Sequence, residues 1–138
     1  METMNVAYVA LTGFTLWTIL LTLLLVGIRG YNSNNGAKIA LNNFSPTGSD
    51  MPGFGQRVTR AHLNCLESLP VFASLVLVAG LTGQLGMMES TVMIVLYARL
   101  AQSIVHMIST SVPMVLIRAL LFALQVLLML CYGWQLLF

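Results

Sequence analysis

Residues 57–72, RVTRAHLNCLESLPVF, stand where a polar stretch gives way to an apolar run. On a helix turning about 100° per residue, Arg57, Arg60, Asn64 and Glu67 fall within a stripe roughly 80° wide. Two guanidinium groups, an amide and a carboxylate then share one face at the edge of a hydrophobic helix. Charge inside apolar surroundings is costly unless it is paired or put to use. This face is therefore the first candidate for function.

The chain around it has the composition of a membrane protein. Of its 138 residues 58% are hydrophobic and 7% charged, where a soluble domain averages about 25% charged residues. Mean hydropathy is +0.89. A bilayer core of about 30 Å takes roughly 20 apolar residues. On that measure spans are expected at about 6–28, 56–85, 90–109 and 114–138, with a long polar loop at 30–55. The expected fold is an all-α, integral membrane four-helix bundle forming a single domain. The N-terminal apolar run lacks a positive n-region and is too long for a signal-peptide h-region, so it reads as a retained first span. Pro70 is expected to kink the second helix, and the Ser109–Pro113 segment to end the third. Tyr132 and Trp134 suit an aromatic belt at the far interface.

Arg29, Lys38, Arg57 and Arg60 lie at or near the ends of the long loop. The turn between the second and third spans offers only Glu89, and the N-terminal tail only Glu2. The positive-inside rule then puts the long loop, and the site with it, on the cytosolic side. Rich in Asn, Gly, Ser and Pro, that loop is either functional or disordered, with Ile39, Leu41 and Phe44 as possible anchors. A net charge of +2 without a basic run gives no reason to expect nucleic acid. Cys65 and Cys131 read as two free buried thiols. No metal-ligand spacing, P-loop, dinucleotide fingerprint or nucleophile elbow occurs.

Two further stripes accompany the first. Arg99, Gln102, Ser103 and His106 follow i, i+3, i+4, i+7 spacing on the third helix, and Arg118 lies one turn into the fourth. Arg57, Arg60, Arg99 and Arg118 thus face one nearby carboxylate, Glu67. Surplus arginine in a half-buried site suits a carboxylate or phosphate ligand, whose geometry matches the guanidinium fork. The alternative is a structural Glu67–Arg99 pair inside the membrane, with Arg57 and Arg60 reaching out to lipid headgroups. His62 falls roughly 120° or more from the stripe and reads as structural. His106 is either a satisfied buried imidazole or part of the site.

The pattern in residues 57–72 (Arg, two residues, Arg-Ala-His, one residue, Asn, two residues, Glu, then Pro and Phe) resembles the signature of the MAPEG family, the membrane-associated proteins of eicosanoid and glutathione metabolism. ARLAQSIVHMIS at 98–109, and Arg118 shortly after Pro113, are similar to later landmarks of that family. Within it the chain looks like the microsomal glutathione transferases. The resemblance implies a homotrimer binding glutathione between subunits near the cytosolic face, with a lipophilic second substrate arriving from the membrane lipid. It further implies that Arg60, Asn64 and Glu67 contact the peptide, that Arg118 lies near its sulfur, and that Arg99 partners Glu67. Arg29 matches another family arginine. The activity implied is that of a glutathione transferase or peroxidase acting on lipophilic electrophiles or lipid hydroperoxides. The alternative is a non-catalytic binding or interaction scaffold. Several family features are replaced here: a tyrosine by Phe122, a serine by Ala119, a histidine and a tyrosine by Gln102 and His106, and an aspartate by Cys65. These changes argue against prostaglandin E synthase activity.

Overall fold

A computed structural model describes residues 3–35, 38–51 and 53–138. Glu2, one of the charges used above for orientation, lies outside them. Four α-helices follow one another among the described residues, α1 (Val6–Asn34), α2 (Phe54–Leu81), α3 (Val92–Ile108) and α4 (Val112–Leu137), with a short 3-10 helix, Leu85–Met87, between α2 and α3. No strand occurs among the described residues. Helices α1, α2 and α4 are long and apolar enough to cross a membrane, and α3 is a shorter apolar helix of 17 residues.

The buried positions explain the packing. On α2 they recur as Val58, Ala61, Cys65, Ser68, Phe72, Val76 and Ala79, a stripe with steps of three and four. Ala7, Ala10, Phe14, Thr18, Leu21 and Leu25 form the matching stripe of α1. The alanines let α1 and α2 approach, and Phe14 meets Phe72 with ring centroids 5.7 Å apart. On α3 the buried face begins apolar, at Val92, Val95 and Leu96, and turns polar through Arg99, Gln102, Ser103 and His106. Helix α4 packs chiefly on α3 and buries only Gln125, Met129 and Tyr132. The rest of its surface is the kind a lipid or another protein must cover.

Contacts at the helix ends show an up-and-down arrangement. Asn5 caps α1 by accepting from the Ala7 N–H at 2.9 Å, and its amide nitrogen donates to Glu89 Oε1 at 2.7 Å. The start of α1 is thereby tied to the turn before α3. At the opposite end, Arg57 Nε donates to the Met107 carbonyl at 2.7 Å, joining the start of α2 to the end of α3. Helix α2 continues unbroken through Pro70, and Pro113 sits in the first turn of α4, where no N–H is required.

The described part of the α1–α2 connection is anchored. Met51 is buried with Leu25 and Val58, and Ile39 and Phe44 pack on the same small cluster. Leu41 instead faces outward, 73% exposed. Asp50 Oδ2 accepts from the Ser45 N–H at 2.8 Å and closes a turn.

Candidate functional site

Where α2, α3 and α4 meet, near the end that carries the long loop, lies a cleft of about 370 Å³. Helix α2 contributes Arg60, Asn64 and Glu67, α3 contributes Gln102 and His106, and α4 contributes Val115, Arg118, Ala119 and Phe122. Helical spacing puts each set on one face, and the bundle turns the three faces toward one another. Two guanidinium groups and one carboxylate line the cleft, a surplus of one positive charge. None of the three forms an ion pair with another described residue.

Hydrogen-bonding chemistry defines the inner wall. Asn64 Nδ2 lies 3.3 Å from His106 Nδ1. An amide nitrogen can only donate, so Nδ1 accepts and the neutral ring carries its proton on Nε2. His106 Nε2 is buried and has no partner. Arg60, Arg118, Gln102 and His106 can all donate to a ligand anion, and Glu67 can receive a cation. From the mouth of the cleft an apolar groove of about 580 Å³ runs between α2 and α4, past Val71, Leu75 and Met129 to Trp134 and Leu137. Glu67 and Phe122 belong to both.

Other expected site residues are placed elsewhere. Arg57 is engaged with the Met107 carbonyl, and its guanidinium lies over Phe54 at 5.9 Å. A cation on the last carbonyls of α3 satisfies groups the helix itself leaves open. Arg99 is fully buried, donates to Ser68 Oγ at 2.6 Å, and stacks over Phe14 at 5.4 Å. No hydrogen bond or ion pair joins it to Glu67 among the described residues. Ser68, one residue along α2 and on its buried stripe, is its hydrogen-bond partner, while Glu67 acts on Arg99 through charge alone. Arg29 sits on α1 against the loop, over Phe44 at 5.7 Å, and does not line this cleft. His62 meets Thr22 of α1 at 2.8 Å, away from the cleft as its helical angle predicts. Two residues escaped the reading of the sequence. Ser68 was hidden among small residues, and Gln125, fully buried behind the cleft and bonded to Gln102, was hidden in an uncharged run. The signal for Gln125 was its position seven residues after Arg118, on the same face of α4.

The MAPEG family model matches residues 6–138, essentially the whole chain. The chain belongs to the MAPEG family. Neither a comparison with curated proteins nor one with solved structures finds a match. As a MAPEG protein it is an integral membrane protein of the family associated with glutathione and eicosanoid metabolism. The cleft brings together three of the residues of its helix-two motif, Arg60, Asn64 and Glu67, with Arg118 of α4.

Proposed function

We propose that this MAPEG protein is a membrane-embedded glutathione-dependent transferase or peroxidase acting on lipophilic electrophiles or lipid hydroperoxides. The observation that carries this reading is the junction at Glu67 and Phe122, where a cationic cleft opens into an apolar groove. A water-soluble anion and a membrane-dissolved molecule can meet there. The donor set fits glutathione, which has two carboxylates and one ammonium. Arg60 and Asn64 would hold carboxylate, Glu67 would accept from the ammonium, and Arg118 would face the sulfur. The unpartnered His106 Nε2–H supports the same fit.

Bound glutathione supplies the nucleophile, whose reactive form is the thiolate. The Arg118 guanidinium would favour that anion over a thiol that otherwise titrates near pH 8.5. The apolar walls around Phe122 would keep water from the sulfur and admit the second substrate. We further propose a homotrimer, since α4 buries only three residues against its own chain and neighbouring subunits would cover much of the rest. The four helices are read as four membrane spans. Arg29, Lys38, Arg57, Arg60 and Arg118 gather at one end of the bundle, which supports a cytosolic cleft and loop.

Purified protein in detergent is expected to bind glutathione and to conjugate an aryl halide. Arg118→Ala should lower turnover by about 100-fold, as loss of one preorganised charge donor does elsewhere, with a smaller loss of binding. Arg60→Ala should weaken binding first. Binding without turnover across a panel of electrophiles and hydroperoxides would favour the scaffold reading, which the absence of any α4 hydroxyl beside Arg118 supports: Ala119 and Phe122 line that wall.

A further inference from the structure

Gln125 is fully buried on the inner face of α4 beside Met129 and Tyr132, and it is not among the residues that line the cleft. Its side-chain nitrogen donates twice, to the Leu121 carbonyl at 2.9 Å and to Gln102 Oε1 at 3.0 Å. A backbone carbonyl can only accept, so the Leu121 contact fixes which end of the Gln125 amide is nitrogen. Gln102 must then turn its oxygen toward Gln125 and its NH2 group away. That NH2 has no partner among the described residues, and Gln102 lines the cleft. Gln125 Oε1, meanwhile, is buried and unbonded. An amide oxygen left without a donor in an apolar interior is unfavourable, and a methionine of similar size would pack there without it. Packing alone does not account for the residue.

Position along the cleft says which part of a ligand this donor meets. Gln102 lies one turn beyond His106, and its partner Gln125 lies one turn beyond Phe122. Phe122 marks the mouth of the apolar groove. Gln102 therefore stands at the end of the cleft where a membrane-borne electrophile would arrive, and where the nucleophilic sulfur has to be.

We propose that Gln125 is a positioning residue: by holding the Gln102 oxygen, it aims the Gln102 amide N–H groups into the cleft as donors to the sulfur anion. This rests on the reading of the cleft as a glutathione site. The pair would supply, through nitrogen, the hydrogen bond that Ala119 and Phe122 cannot offer. The charged and titratable groups facing the same space are Arg60 and Glu67 from α2, His106 from α3 and Arg118 from α4.

The test follows the ultraviolet thiolate absorbance of bound glutathione against pH in wild type, Gln125→Met, Gln102→Met and the double variant. A hydrogen bond to the charged form favours that form, so Gln125→Met is expected to give about tenfold less thiolate at neutral pH. Affinity for S-methylglutathione, which cannot ionise at sulfur, should be little changed. The double variant should be no worse than Gln102→Met, because Gln125 acts only through Gln102. Unchanged thiolate titration in Gln125→Met overturns the proposal. So do additive effects in the double variant, or an equal loss of S-methylglutathione binding, which would show a collapsed cleft. Should Gln125→Met fail to fold, Gln102→Met decides alone: a normal thiolate titration removes the donor from the scheme. Wild-type protein that binds no glutathione would sink the glutathione reading itself, an outcome separate from all of these.

Discussion

Arg99 is sealed inside the bundle, stacked on Phe14 and bonded to Ser68, while Arg118 lines the cleft with no direct ion pair to a described residue. The two guanidiniums should respond oppositely to loss of charge. Removing a hydrogen bond to a charged group costs about 1.5–3 kcal/mol, so Ser68→Ala should lower stability by that order. Arg99→Met, which removes the buried charge itself and keeps similar volume, should be near neutral or stabilising. Unfolding in detergent with both variants checks this; a harmless Ser68→Ala would mean that the bond carries no weight. The same residues show how far spacing could be read. Arg60, Asn64 and Glu67 share a face because helical geometry requires it. Arg57 shares that angle, yet its long side chain finds the Met107 carbonyl, a partner supplied by tertiary packing. Ser68 and Gln125 are uncharged, and only the neighbours brought by folding make them matter.

Helix ends and the α1–α2 connection depend on a few local contacts. Gly48 is buried with φ +72°, and a Cβ there would meet Thr59 Oγ1 at 2.6 Å. Gly48→Ala should destabilise by about 1–3 kcal/mol, from the left-handed conformation alone, and crowding against Thr59 should add to it. Thermal unfolding together with proteolysis of the loop would measure both effects. At the other end, Asn5→Ala removes an N-cap, usually worth about 1 kcal/mol, and also the bond to Glu89. Glu89→Ala should reproduce only the second loss. The loop was the least legible element. Ile39, Leu41 and Phe44 have no period, so nothing in their order distinguishes the two that pack from the one that is exposed. Helix α1 runs on past Arg29 to Asn34 because a cation at a membrane boundary need not stop a helix that its own backbone bonds sustain.

The bundle as a whole is a half-finished surface. Leu116, Leu120, Leu127 and Leu130 of α4 are each at least 60% exposed, which water would not tolerate but a bilayer or sister subunits would. Light scattering of the detergent-purified protein should give three chains per particle; a monomer that still binds glutathione would overturn the trimer. The chain's single lysine, Lys38, is exposed and marks orientation. A membrane-impermeant amine reagent should modify it only from the cytosolic side. Fold class was readable from composition because a bilayer demands long uncharged helices. The convergence of three stripes on one cleft was not, since helical angle says which residues share a face and nothing about which faces meet.

Trp134 stands at the foot of the apolar groove, 66% exposed and 4.5 Å from the Phe138 ring. The chain's other tryptophan, Trp17, packs against the core. The molecule therefore carries its own optical gauge. A brominated fatty chain that lodges in the groove would dim the emission of one indole and spare the other, and Trp134→Phe would erase the response. Occupancy by the greasy reactant could be followed this way without any turnover.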